Sequence, residues 1–423
     1  MIDIQTLRAD PEGIRENLAR RQVEVDLDQL LALDGLRSRL IQELDALRQE
    51  RNQIADQVAK ASPEDRPALV QRGKDLKQKI VEAEPNLAIT EEQWKELLSQ
   101  IPNHTHSESP TGASDEENVQ IAVFGEEQHF DFQPKAHTEL ARELNLLDFD
   151  RGAKVAGSKF YFMQGKLMLL EQALIQWVLK ELVAEGFHPI QTPDVAKTDV
   201  MAGTGFNPRG SEDQIYRVEG TDLSLIATAE IPMGGYFKDE ILEEQDLPLR
   251  FVALSHCFRK ESGAYGKESY GMYRVHQFTK VEMFVFATPG QSEGLHQELR
   301  RLEERIFTKL GLRFRVVDIC TGDLGGPAYR KYDLEAWMWG KAEGKGGWGE
   351  VTSTSNCTDY QARRLNIRYR KADGTVELLH TLNGTALAMS RGLIAILEQY
   401  QQADGSIAVP EVLRPYCGFD RIG

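Results

Sequence analysis

Apolar residues in the first quarter of the chain recur at helical spacing. Leu33, Leu40, Leu47 and Ile54 repeat every seven residues, and Leu30, Leu44 and Val58 fill the complementary series, which Arg37 and Arg51 interrupt. Between residues 27 and 101 glycine occurs only at Gly35 and Gly73, among Leu, Glu, Gln, Lys and Arg, a coiled-coil composition. After Ser62-Pro63 to Pro67 a second series runs Leu69, Leu76, Ile80, Leu87, Trp94, Ile101. A lone helix would leave such a stripe uncovered, so the two arms predict an antiparallel helical hairpin spanning about 27–101. Pro85 lies inside the second arm, where its missing N–H and its ring predict a kink or break near Glu84.

The pattern changes at Ile101-Pro102-Asn103. Polar sequence with Pro and Gly runs to Asn118 and reads as a linker, so an N-terminal domain of 1–108 and a second of 109–423 are expected. An amphipathic stretch at 166–185 (Leu167, Leu170, Leu174, Trp177, Val178, Leu182) predicts a helix ended by Gly186. Alternation then predicts strands around 187–192, 250–258, 276–286, 314–319 and 378–382, joined mostly by loops rather than regular helices. The fold class expected is α+β: a helical hairpin, then a mainly antiparallel sheet flanked by helices. G-x-x-x-x-G-K-[ST] does not occur, so that phosphate-cradling loop is absent from the sequence.

Composition narrows the function classes. At 423 residues, 41% apolar and 27% charged, the chain is long enough for two ordinary domains. No run of about 18 uncharged apolar residues occurs and the start lacks a secretory layout, so a cytoplasmic protein without membrane contact is expected. Cys257, Cys320, Cys357 and Cys417 lie far apart, without a C-x-x-C pair, and predict reduced thiols. A net charge of -16 argues against non-specific coating of nucleic acid. The exception is the hairpin tip, residues 60–80, where Lys60, Arg66, Arg72, Lys74, Lys77 and Lys79 outnumber Glu64, Asp65 and Asp75. Alone, that run reads as a solvated helix surface.

The chemistry concentrates between Cys257 and Glu282. Cys257-Phe258-Arg259-Lys260-Glu261, a Gly- and Tyr-containing loop over 262–273, and Arg274-Val275-His276-Gln277-Phe278-Thr279-Lys280-Val281-Glu282 read as strand, loop, strand. Alternation puts Arg259 with Glu261 on one face, and Phe278 with Lys280 and Glu282. Phe278 and Glu282 then stand roughly 13 Å apart, about the span from an adenine ring to an amino acid joined through a phosphate. Arginine offers a bidentate fork to phosphate, an aromatic ring a stacking plane, and a carboxylate a seat for an ammonium. R-x-E alone would read as a salt bridge on a charged sheet, so its neighbours decide.

Together these residues resemble motif 2 of the class II aminoacyl-tRNA synthetases. Upstream, the helix ending near 185 and Gly186-Phe187-His188-Pro189-Ile190-Gln191-Thr192-Pro193 resemble motif 1; downstream, Thr381-Leu382-Asn383-Gly384-Thr385-Ala386-Leu387-Ala388-Met389-Ser390-Arg391 resembles motif 3. Within the class, Thr228-Ala229-Glu230, Glu350-Val351-Thr352-Ser353 ahead of Asn356, Gln361-Ala362-Arg363-Arg364 and the N-terminal hairpin resemble the seryl-tRNA synthetases over essentially the whole chain.

The resemblance implies ATP-dependent activation of L-serine to seryl-adenylate and transfer to the 3′ end of serine tRNA, with a selenocysteine tRNA a possible second acceptor. It implies Arg259, Glu261 and Arg391 as catalytic groups, with ATP contacts at Arg259, Lys260, Glu261, Val275, Phe278, Glu350, Val351, Thr352, Ser353 and Arg391. Magnesium would come with ATP to Glu350 and Ser353. Serine would meet Thr228, the Ala229 backbone, Glu230, Glu282 and Thr385, and tRNA would meet Arg72, Lys74, Lys77 and Lys79. Motif 1 implies a homodimer. Two rival readings are a class II relative loading another small amino acid and a catalytically inactive homologue kept as a scaffold; the second requires lost catalytic residues, and Arg259, Glu261, Glu282, Glu350 and Arg391 are all present.

Three local tensions remain. Ala386 and Ser390 stand where the family commonly has glycines, at what reads as a helix start. Glu350 and Ser353 are three apart, so a flat strand would aim them to opposite faces and joint ATP contact requires a bend. His256 and His276 flank motif 2 but read as structural, since the reaction needs no catalytic histidine.

Overall fold

The computed structural model describes residues 1–206, 214–261 and 271–423, in two compact units, Met1–Pro102 and Asn103–Gly423. In the first unit, α1 (Ile4–Ala9) and α2 (Pro11–Arg20) precede the long arms α3 (Leu27–Lys60) and α4 (Arg66–Gln100). Asp26 caps α3, its carboxylate accepting from Gln29 N at 2.8 Å. Leu30, Leu44 and Ile54 of α3 are buried, as are Leu76, Ile80 and Leu98 of α4. Two helices cover only part of each stripe, which leaves Leu33, Leu40 and Leu47 half-buried. Arg37, which interrupts the heptads, works across the pair: its guanidinium lies 4.8 Å from the Trp94 ring centroid and 3.1 Å from Glu91. The break expected at Pro85 does not occur. α4 runs through it, because Val81, whose carbonyl loses its helical donor, is on the exposed side where water can replace it.

The second unit begins with Asn103, so the stretch 103–108, expected with the hairpin, counts with the sheet unit. Asn103 Nδ2 donates to the Pro327 and Cys357 carbonyls at 2.9 and 2.8 Å. The elements that carry the argument are β1 (Val119–Phe124), α5 (His137–Glu143), α6 (Lys166–Ala184), β2 (His188–Gln191), β3 (Leu249–Phe258), β4 (Gln277–Ala287), α7 (Pro289–Lys309), β5 (Phe314–Asp318), β6 (Arg330–Met338), β7 (Gly347–Asn356), β8 (His380–Ala388) and α8 (Met389–Gln399). They form an eight-stranded sheet in the order β1-β5-β6-β7-β8-β4-β3-β2, antiparallel throughout except for the β2–β3 pair. α7, a 21-residue helix, stands between β4 and β5, where loop-like connections had been expected.

On β4 the alternation is clear. Val281, Met283 and Val285 enter the main apolar core with residues of α6, α7 and α8, while Phe284 and Phe286 join a smaller core on the other face. That second face, further along the same strand, carries Lys280 and Glu282, both buried and both polar. Burying them needs partners close by, which fixes where a polar cleft must lie.

Candidate active site

A cleft of about 620 Å³ opens on that face, walled by β4, β7, β8 and the segment after β3. Phe278, Lys280 and Glu282 line it from one strand, as their spacing predicts. Arg259 and Glu261 also line it, but not by strand alternation: β3 ends at Phe258, and Glu261 has a φ of 49°. The Arg259 backbone is held instead by a two-way pairing, its N–H donating to the His276 carbonyl at 3.0 Å and its carbonyl accepting from His276 Nδ1 at 2.8 Å. His276 therefore has a structural task. So has His256, whose Nδ1 meets Asp194 at 2.8 Å. The Arg259 guanidinium lies 5.3 Å from the Phe278 ring centroid, and Nε donates to the Ala227 carbonyl. Glu261 faces Arg274 at 3.4 Å.

β7 resolves the parity problem. Leu334 pairs with Thr352 and Glu335 with Glu350, so Val351 is one residue too many and forms a bulge. That extra residue returns Glu350 and Ser353 to the same side, and both line the cleft, half-buried. Val351 and Thr352 lie between them, 1% exposed, with the Thr352 hydroxyl donating at 2.8 Å to Glu303. Burial pushes the Glu303 carboxyl well above the carboxylate range. Ala386 marks a second bulge: Thr385 pairs with Glu282 and Leu387 with Val281. It therefore sits in strand rather than at a helix start, and α8 begins only at Met389.

On the far wall, Arg391 Nη1 lies 3.2 Å from the Glu350 carboxylate, Nε donates to the Tyr273 carbonyl at 3.3 Å, and the guanidinium stands 4.7 Å from the Tyr273 ring centroid. Burial acts to raise the Glu350 carboxyl, but Arg391, Lys331 and Arg259 outweigh it and hold it below the usual range.

At the inner end are two carboxylates in different states. Glu282 is ion-paired with Lys280, and its Oε2 accepts from the Thr385 hydroxyl at 3.1 Å; Lys280 Nζ also donates to Thr228 Oγ1 at 2.7 Å. Glu230 Oε1 accepts only from amides, Gln361 Nε2 at 2.6 Å and Asn383 Nδ2 at 3.1 Å, and makes no ion pair among the described residues. Burial and the neighbouring Glu282 charge push its carboxyl up to about 7, against Lys280, Gln361 and Arg259. The pocket thus holds one carboxylate already neutralised and one without a cation.

Of the sequence-predicted residues, Val275, Thr228 and Thr385 also line the cleft. Ala229 is wholly buried, and Lys260 is not among the lining residues. Arg72, Lys74, Lys77 and Lys79 are exposed on α4, with Arg72 2.6 Å from Glu50. Lys280, Arg274, Lys331 and Asn383 line the cleft, and Gln361 holds Glu230 without lining it, none of them having been singled out as site residues. Lys280 could have been found from its place between Phe278 and Glu282, and Gln361 and Asn383 from the polar runs that contain them.

Residues 1–105 match the family described as the seryl-tRNA synthetase N-terminal domain, and residues 215–400 the tRNA synthetase class II core domain (G, H, P, S and T). The chain is 53% identical to the serine–tRNA ligase of Treponema denticola, with all of both chains covered, and 53% identical to that of Rubrobacter xylanophilus, covering all of this chain and 99% of the other. Among solved structures, the seryl-tRNA synthetase of Pyrococcus horikoshii complexed with ATP superposes with a TM-score of 0.87 at 39% identity, over all of this chain and 99% of that one.

Proposed function

This chain belongs to the seryl-tRNA synthetase family of the class II enzymes, and from that premise we propose how its cleft works. The chain is a serine–tRNA ligase: it activates L-serine with ATP and transfers the seryl group to tRNA. The observation that carries the assignment of its residues is β4, which presents Phe278, Lys280 and Glu282 in line on one wall of a cleft whose other wall carries Glu350 and Arg391.

In this reading the adenine stacks on Phe278, beside Val275 and Glu261, while Arg259 reaches the α-phosphate and Arg391 the γ-phosphate. Serine lies at the inner end. Its ammonium takes the cation-free Glu230, and its hydroxyl joins the Thr385–Glu282 pair. A site committed to hydrogen-bonding a hydroxyl leaves buried groups unpaired when alanine enters, which rejects it. The serine carboxylate is already ionised, so it attacks the α-phosphorus in line without a general base, and pyrophosphate leaves. Rate then comes from placement and from cations set where charge gathers. In the second step the 3′ hydroxyl of the terminal adenosine attacks the seryl carbonyl of the adenylate, the ester forms and AMP leaves.

Glu350 and Ser353 are hard oxygen donors brought to one side by the bulge, and suit a magnesium ion arriving with ATP; one carboxylate plus substrate phosphates is an ordinary magnesium environment. Such an ion supplies neutralisation of the polyphosphate.

The exposed basic side chains of α4 are proposed to meet the tRNA elbow through phosphates and shape, an arm that would serve a selenocysteine tRNA of similar shape equally. A second copy is proposed to cover the face of α6, where Met168, Leu169 and Val183 are 44%, 49% and 45% exposed. No helix among the described residues is long and apolar enough to cross a membrane, and the four cysteines are free, as a cytoplasmic place of work would have them.

Pyrophosphate exchange with a panel of amino acids, followed by charging of total tRNA, tests the substrate. Serine alone should drive both. Exchange with alanine or glycine and none with serine would overturn the assignment.

A further inference from the structure

Behind the cleft lies a fully buried pair that the reaction does not use. His137, at the start of α5, and Glu398, on α8, are both 0% exposed. Glu398 Oε1 accepts from the His137 backbone N–H at 2.9 Å and from Nδ1 at 2.8 Å. Its Oε2 accepts from Gly340 N at 2.8 Å. On the other side of the ring, His137 Nε2 accepts from Met272 N at 3.2 Å. Only the imidazole with its proton on Nδ1 satisfies both ring contacts.

The two backbone groups so held lead directly to the far wall of the cleft. Met272 precedes Tyr273, and Gly340 precedes Lys341. The Tyr273 ring is flanked by the Arg391 guanidinium at 4.7 Å and the Lys341 ammonium at 4.5 Å, and the Tyr273 carbonyl accepts from Arg391 Nε. Arg391 stands on the same helix as Glu398, seven residues earlier and so near the same face. The chain also comes unusually close at this point: Gly271 has a φ of 56°, and a Cβ there would fall 2.0 Å from His137 Nε2.

We propose that His137 and Glu398 are positioning residues for ATP: through the Met272 and Gly340 amides they fix the Tyr273 ring between two cations and so set where Arg391 meets the polyphosphate. The pair touches no substrate. Its action passes through backbone hydrogen bonds, and it rests on the assignment of Arg391 to ATP made above.

The ring has two ends, and two substitutions separate them. In His137→Gln the amide oxygen reaches the place of Nε2 and keeps the Met272 contact while giving up the Nδ1 donor. In His137→Asn the amide nitrogen takes the place of Nδ1 and keeps Glu398 while abandoning Met272. With the full-length chain and pyrophosphate exchange as readout, His137→Asn should raise KM for ATP roughly fivefold and leave KM for serine within about twofold. His137→Gln should leave both within about twofold of the unaltered chain. Equal effects of the two, or an unmoved KM for ATP in His137→Asn, would overturn the proposal. Should His137→Asn not yield folded protein, Glu398→Gln carries the test. It keeps an acceptor for the ring but turns an amide toward Gly340 N–H, and it too should raise KM for ATP alone; an unchanged value overturns the proposal. Arg391→Ala separates the two levels of the argument. If it leaves KM for ATP unmoved, the assignment of Arg391 fails; if it raises KM and His137→Asn does not, the positioning role alone fails.

Discussion

Glu230 makes serine recognition depend on pH in a direction that can be worked out. Its carboxyl is pushed up to about 7 by burial and by Glu282, and its partners are two amides rather than a cation. An ammonium stabilises only the ionised form. Below pH 7 the group must first release a proton, so KM for serine should scale as one plus the ratio of protonated to ionised Glu230. Between pH 8 and pH 6 that factor grows from about 1.1 to about 11, a roughly tenfold rise in KM as the medium becomes more acidic. Serine's own ammonium stays charged over this interval and adds nothing to the slope. Glu230→Gln keeps the shape and cannot ionise, so its KM should be high at every pH and its profile flat. The assay is pyrophosphate exchange at saturating ATP from pH 6 to 8. A wild-type KM for serine that does not move, or the same slope in Glu230→Gln, would refute the placement of the ammonium on Glu230.

Replacing Arg72, Lys74, Lys77 and Lys79 together by Ala should lower tRNA charging at least about tenfold at low salt, the deficit narrowing as salt rises, while exchange stays within about twofold; equal loss of both would defeat the division of labour between arm and cleft. Deleting Val351 takes out the extra residue and leaves Glu350 and Ser353 two apart on a regular strand, still on one face, so KM for ATP, read from pyrophosphate exchange, should rise far less than in Glu350→Ala. Glu303 lies above its usual range in the folded protein, so the folded state binds more protons and loses stability as pH rises from the ordinary carboxylate range up to the raised folded value. Glu303→Gln should flatten that fall, seen as a urea midpoint less sensitive to pH. Pro85→Ala restores a helical hydrogen bond in α4 and should stabilise the helical unit by up to about 3 kcal/mol, read from thermal unfolding.

Much of this was legible in the sequence where one physical rule governs a segment. The hairpin follows from a seven-residue apolar repeat, and β3, β4 and α6 from plain alternation and amphipathicity. β6 and β7 were not predicted as a pair because the cleft lies against them: Lys331, Asp333, Glu350 and Ser353 are polar where a core-facing strand would be apolar. The Glu350–Ser353 spacing did announce that the strand could not be flat, and the bulge is the answer. Pro85 misled because the rule against internal proline assumes that the orphaned carbonyl has nowhere to turn. Glu230 and Glu282 look alike in the sequence; only Lys280 beside one and amides around the other tell them apart.

The Arg391–Glu350 contact has a consequence for how tightly nucleotide can be held. Before ATP enters, that guanidinium already has an anion 3.2 Å away. The γ-phosphate therefore competes for an occupied cation, and the gain on entry is a difference between two counter-ions rather than the full worth of one. A displaced Glu350 is then left without its partner at the very moment a divalent cation arrives with the nucleotide. Affinity for nucleotide and affinity for that cation are on this account one coupled quantity, and neither should be strong without the other.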